Sequence, residues 1–247
     1  MSLSSLERGP DFSIDIAGVC CRVTLDKDLP GIERIYRGFF SSPVSPDFTV
    51  RVTLEDEVPA AEEVEISCLD NGESLKGRGM NITVSQGEIS GEVFRDIHAL
   101  DSVLRAAYSV FLPPRGGLLM HASSLGGEVY TGPSGSGKTS SVRGRDNILS
   151  DDITALRKVS GSWRVCSTPF SGEFAGEFEN RSCPLTGFNM LRLDGDLEPG
   201  RVYREILRNT LFYSASPEGF GALADIAREL SLLIPGRGVY SRALAGV

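Results

Sequence analysis

The stretch "YTGPSGSGKTS", Tyr130–Ser140, decides the reading of the chain. Gly132, Pro133, Ser134, Gly135, Ser136, Gly137, Lys138 and Thr139 satisfy the pattern G-x-x-x-x-G-K-[ST], and Ser140 follows directly. Glycines at these positions let successive backbone N–H groups turn into one concavity. A helix start adds positive potential there, and a lysine neutralises charge on the β- and γ-phosphates of a nucleotide. The run "GEVYT" (127–131) reads as a strand leading straight into the loop, which is the context the motif needs. The expected ligand is ATP, with the Thr139 hydroxyl on a magnesium ion. The helix after the loop is expected to be short, because "KTSSVRGRDN" offers only Val142 as an apolar anchor before Gly144.

Upstream, "RGGLLMHASSLGGEVYTG" carries two apolar runs flanking Gly126-Gly127, the signal for a two-residue hairpin turn. That register sets Leu125 opposite Glu128, Ser123 opposite Tyr130 and His121 opposite Gly132. His121 is thereby expected at the mouth of the loop, where an imidazole can touch a phosphate or orient a carboxylate. Downstream, Ser150-Asp151-Asp152 follows Ile148-Leu149, so a buried strand delivers two carboxylates near its end. Neighbouring side chains of an extended segment point to opposite faces, so the two acids are expected to divide the work, one on the metal and one on the substrate. Glu173 and Glu177, in "TPFSGEFAGEFEN", are candidates for a further magnesium contact. Arg181, Arg204 and Arg208 are candidates for steadying transferred-phosphate charge, and His98 reads as surface.

Further out, the first hundred residues alternate apolar and polar in short runs, "FSIDIAG", "CCRVTL", "FTVRVTL", "VEISCL" and "MNITVSQGEISGEVF", which read as strands. Turns are expected at "DKDLPG", "SSPVSPD" and "LDNGES". "GIERIYRGFF" places Ile32, Ile35, Tyr36 and Phe39 at helical spacing. In residues 96–112, Ile97, Leu100, Leu104, Tyr108 and Phe111 make one helical face that Pro113-Pro114 stops. After the loop, "NILSDDITALRK" and "WRVCSTPF" read as strands, and "RVYREILRNTLFY" and "PEGFGALADIARELSLLI" as helices. The last has Ser216 as N-cap and Phe220, Leu223, Ile226, Ala227 and Leu230 on its apolar side. The expected fold is mixed α+β: a strand-rich region over 1–111 ending in a helix, then a P-loop nucleotide-binding domain over 112–247.

Composition narrows the function classes. The 247 residues carry a net charge of −8 with no basic block, which argues against nucleic acid or an anionic membrane surface as partner. Cys20, Cys21, Cys68, Cys166 and Cys183 form no C-x-x-C pair and leave an odd thiol, which suits a reducing, cytoplasmic setting. No apolar run reaches the roughly 20 residues of a membrane helix, and the N-terminus has no signal pattern.

Four segments in order, "LLMHASSL", "GPSGSGKTS", "LSDD" and "TPFSGEF", resemble the catalytic part of HPr kinase/phosphorylase and its relatives, which share a nucleotide-binding core with ATP-dependent phosphoenolpyruvate carboxykinase. The resemblance covers roughly residues 112–185. It implies that Lys138 and Thr139 take the phosphate and magnesium roles. By the same resemblance Asp151 is the acid/base carboxylate that accepts a hydroxyl proton, Asp152 its neighbour near metal and phosphate, and His121 the histidine beside the site. Glu173 is similar to the family's second metal-proximal glutamate, but the Glu-x-x-Arg-Gly context is absent, which leaves the protein substrate HPr open. The implied activity is a magnesium-requiring kinase that transfers the γ-phosphoryl group of ATP to a hydroxyl on a small molecule, peptide or protein. Two alternatives stand beside it. One is a nucleotide-binding regulatory module without catalysis. The other is a carboxykinase-like lyase, for which no histidine beyond His121 supplies the extra ligands such chemistry requires.

Overall fold

The computed structural model describes residues 9–43, 45–58, 61–174, 178–191 and 198–233. The chain is mixed α+β and rich in strands, built on two sheets. The first sheet uses the alternating runs of the N-terminal half: β1 (Asp11–Ile16), β2 (Val19–Leu25), β3 (Phe40–Ser41), β4 (Phe48–Glu55), β5 (Glu65–Leu69), β6 (Gly72–Gly77), β7 (Met80–Ser85) and β8 (Glu88–Phe94). Their spatial order is β3-β1-β2-β4-β8-β7-β6-β5, with β2–β4 and β4–β8 parallel. Period-two patterning sends one set of side chains inward, as in β4, where Phe48, Val50, Val52 and Leu54 are buried. The short helix α1 (Ile32–Tyr36) and a following 3-10 turn bury Ile32, Ile35, Tyr36 and Phe39, the residues at helical spacing. The segment "LDNGES" is a turn only at Asp70-Asn71, because Gly72 already opens β6.

Helix α2 (Ile97–Phe111) follows, capped by the Asp96 carboxylate, which accepts from the His98 N–H at 2.8 Å. Ile97, Leu100, Leu104, Tyr108 and Phe111 are all buried, and His98 is exposed. The Tyr108 hydroxyl lies 3.1 Å from the carbonyls of both Ile14 and Val19, so the helix is tied to the first sheet by a polar contact inside an apolar core. Tyr108→Phe is expected to cost about 1–3 kcal/mol, measured by urea unfolding, because the one buried donor that the two carbonyls share is lost.

The second sheet is centred on β9 (Gly117–Leu125). It also contains β10 (Glu128–Thr131), β11 (Ile148–Ser150), β12 (Ile153–Val159), β13 (Ser162–Cys166), β14 (Ser182–Pro184), β15 (Gly187–Met190) and β16 (Thr210–Leu211). The helices of this half are α3 (Lys138–Val142), α4 (Pro199–Asn209) and α5 (Pro217–Leu233). The hairpin register is as expected, with Leu125 opposite Glu128 and Ser123 opposite Tyr130. Alternation along β9 then fixes which face each residue serves. Leu118, Met120 and Ala122 join the core under α4 and α5, whereas Leu119 joins the core that contains α2. His121, two residues on from Leu119, shares the α2 side of the sheet.

Three expectations are corrected. "NILSDDITALRK" is two strands, β11 and β12, and the chain bends between them at Asp151-Asp152. "RVYREILRNTLFY" is helical only to Asn209, because Thr210 and Leu211 leave the helix to pair with Met120 and Leu119 of β9. Phe220 is 54 % exposed, off the buried stripe of α5, and meets Phe212 edge-on instead. The Ser216 cap is present, its Oγ accepting from the Gly219 N–H at 3.0 Å. Among the described residues, no helix is long and apolar enough to cross a membrane.

Candidate functional site

The chain leaves β10 at Thr131 and turns through Gly132, Gly135 and Gly137, at φ 153°, 69° and 92°, before α3 begins at Lys138. Two of these glycines have distinct reasons. Gly137 caps α3 in the left-handed region. Gly132 is pressed against its surroundings: a Cβ there would lie 2.7 Å from the Leu191 carbonyl oxygen and 3.0 Å from the Ser136 Oγ. Gly132→Ala is expected to destabilise the chain by about 1–3 kcal/mol in thermal unfolding, through backbone strain and this clash. Pro133, Ser134, Gly135 and Ser140 are exposed, and Ser136 is buried. As expected, α3 is short, with Val142 its buried residue, packed beside Tyr130 and Leu191.

The Lys138 ammonium folds back over the loop and donates to the carbonyls of Gly132 at 2.9 Å and Pro133 at 3.1 Å. Partial burial lowers its pKa, and the nearby Asp152 charge opposes that shift. The Ser136 Oγ has no hydrogen-bond partner, the one buried side-chain polar atom so placed among the described residues. A donor left over inside this turn suits a ligand oxygen.

The bend after β11 separates the two aspartates. Asp151 is 2 % exposed, and its carboxylate accepts from the N–H groups of Gly172 (3.1 Å), Glu173 (2.6 Å) and Phe174 (3.1 Å). Its backbone carbonyl accepts from the Ser123 hydroxyl at 2.8 Å and the Thr139 hydroxyl at 3.2 Å. The Asp151 oxygens, expected to meet the substrate, thus lie on amides of the 172–174 turn. Asp151→Asn is expected to lower stability by about 2–4 kcal/mol in urea unfolding, since an amide cannot match a carboxylate receiving three N–H groups.

Asp152 turns the other way. Its Oδ1 lies 3.6 Å from His121 Nδ1 and its Oδ2 3.2 Å from Arg105 Nη1. Burial pushes its carboxyl up, but His121 and Arg105 together outweigh burial and hold it below the usual carboxylate range. A depressed native pKa contributes stability above the unfolded value of about 3.9 and loses it as pH falls through the native value. The stability gap between wild type and Asp152→Asn is accordingly expected to be constant near neutrality and to close below about pH 4 in urea titrations.

Arg105 was not marked by any motif. It lies on α2 four residues after Asp101, to which its Nε donates at 2.7 Å, and its Cζ sits 5.5 Å from the centre of the Phe170 ring. The Tyr36 hydroxyl donates to the other oxygen of Asp101 at 3.2 Å. Burial raises the Asp101 pKa against the pull of Arg105 and Tyr36. The only sequence trace of this arrangement is an acid and a base spaced i, i+4 on an apolar helix.

The other candidates are not gathered here. The Glu173 carboxylate, expected near the metal with Thr139 and Asp152, is ion-paired with Arg143 at the surface. Glu177 lies outside the described residues. Arg181 donates to the Ile148 carbonyl at 2.9 Å, Arg204 is exposed, and Arg208 pairs with Glu205 at 2.8 Å on α4. A cleft of about 790 Å³ between β5, β6 and residues Ser214–Pro217 includes none of the candidate residues in its lining. Among the described residues, no group of three or more His, Cys, Asp or Glu side chains is arranged to hold a metal. One hydroxyl and one carboxylate, Thr139 and Asp152, fit magnesium that keeps waters and phosphate oxygens as its other ligands.

No protein-family model matches the chain, and no curated protein matches it significantly.

Proposed function

We propose that the turn 132–139 cradles the polyphosphate of ATP and that the chain is a magnesium-requiring kinase of the HPr-kinase-like group, with a P-loop core, acting on a hydroxyl-bearing acceptor. The observation that carries this reading is the meeting of three segments: the Thr139 hydroxyl, next to Lys138, lies 3.2 Å from the Asp151 carbonyl, and Asp152 lies 3.6 Å from His121 of β9. A β-strand delivers the glycine turn and the lysine, the bend after β11 supplies an ionised carboxylate, and β9 supplies an imidazole.

In this reading Lys138 exchanges its two loop carbonyls for β/γ-phosphate oxygens, so the ammonium moves from neutral partners to anionic ones. The Ser136 hydroxyl and the loop amides supply further donors. Magnesium would be held by the Thr139 hydroxyl and phosphate oxygens, with Asp152 reached through one of its waters, and would supply neutralisation of charge on the transferring group. The acceptor oxygen forms the new P–O bond as the bond from the γ-phosphorus to the β–γ bridging oxygen breaks, and that electron pair leaves on ADP. The hydroxyl proton passes to Asp152. This carboxylate replaces Asp151 in the role, because it is the one of the pair whose oxygens face other ionisable groups. Its contribution is orientation of the hydroxyl more than basicity, which suits a loose transition state.

A regulatory nucleotide-binding module remains the second reading, favoured by the one-turn length of α3 and by the engagement of Glu173 with Arg143. Incubation with γ-labelled ATP and magnesium in the presence of metabolite or peptide pools separates the two. Acceptor-dependent ADP and a labelled product are expected for the kinase, and acceptor-independent binding without ADP for the module.

A further inference from the structure

We infer that Arg105 is a positioning residue of the candidate site, holding the Asp152 carboxylate in the orientation that faces His121. This rests on the reading of the site as one for phosphoryl transfer, and it adds to that reading a residue from the N-terminal half, outside every motif.

The guanidinium is fixed on three sides. Its Nε edge donates to Asp101 at 2.7 Å, its Nη1 reaches Asp152 at 3.2 Å, and the Phe170 ring lies against it at 5.5 Å. The side chain is 20 % exposed, so water competes weakly for these contacts. Asp101 is itself held by the hydroxyl of Tyr36, a fully buried residue. The chain Tyr36, Asp101, Arg105, Asp152, His121 therefore runs from the buried core to a half-exposed imidazole on β9. A planar fork with five donors suits such a bridge, because two edges can be committed to different carboxylates without freedom to rotate. Among the described residues, no backbone amide donates to the Asp152 oxygens, in contrast to Asp151. Without Arg105, His121 is the one partner left among the described residues to orient it, at 3.6 Å and with a half-exposed ring.

The test compares the full chain with Arg105→Lys, Arg105→Met, Asp152→Asn and the double variant Arg105→Met/Asp152→Asn. Urea unfolding without nucleotide forms a double-mutant cycle. The unfolding constant of the double variant is expected to depart at least about fivefold from the product of the single changes. Calorimetry with Mg·ATP and phosphate release with water as acceptor supply the functional arm. Arg105→Lys is expected to keep ATP affinity within about threefold and to lose about tenfold or more of the release rate, since an ammonium keeps the charge and loses the fork. Additive unfolding effects would overturn the inference, because no contact would then hold the carboxylate. A coupled pair with an unchanged release rate would also overturn it, leaving Arg105 a fold-stabilising residue only. A wild-type chain that binds no ATP, or binds it and releases no phosphate, removes the reading of the site together with the inference, whereas the first two failures remove the inference alone.

Discussion

Lys138→Ala is expected to weaken Mg·ATP binding by about 100-fold or more in calorimetry while leaving the unfolding midpoint of the ligand-free chain close to wild type. The two halves have separate causes. In the ligand-free chain the ammonium rests on the Gly132 and Pro133 carbonyls at a partly exposed position, and water can replace it there. With a polyphosphate in the turn, the same group makes charge-assisted contacts worth about 1.5–3 kcal/mol each, and two of them amount to roughly the stated loss. Lys138→Arg is expected to bind poorly as well, since the bulkier fork does not fit a turn closed around a single point charge. Equal affinity in wild type and Lys138→Ala would remove the lysine from the site.

The second large effect is on transfer. Asp152→Asn is expected to retain ATP affinity within a fewfold and to lose about 100-fold or more of acceptor phosphorylation, the range typical for removal of a positioned carboxylate. Asp151→Asn is expected to differ in kind, because its oxygens hold the 172–174 turn. Its loss appears in stability first, and its turnover, corrected for the folded fraction, falls less than that of Asp152→Asn. The reverse ranking, with Asp152→Asn near wild type in turnover, would return the substrate-facing role to Asp151.

The sequence made some of this legible and hid the rest for physical reasons. Strands such as β4 and the helix α2 could be read because period-two and helical spacing of apolar residues record which face is buried. The hairpin register followed from Gly126-Gly127 alone, because a two-residue turn leaves one pairing. That the Asp151 and Asp152 carboxylates face apart was also legible, since neighbouring side chains of an extended segment point to opposite sides. Which acid faces which way was not, because that depends on a bend between β11 and β12 and on amides of residues 172–174, more than twenty residues downstream. Arg105 stayed hidden for a similar reason: its partners Phe170 and Asp152 come from distant segments, and a single arginine on a helix carries no pattern. Thr210 and Leu211 continued a helical pattern yet paired with β9, an instance of tertiary contact overriding local propensity.

The central claim is that backbone amides of residues 132–139 grip a polyphosphate. The most direct measurement follows the ¹H–¹⁵N shifts of those amides while ATP with magnesium is titrated into the wild-type chain. Saturable shifts concentrated at Gly135 to Thr139, lost in Lys138→Ala, are the expected result. Unmoved amides at millimolar nucleotide, or shifts confined to residues elsewhere in the fold, would contradict it.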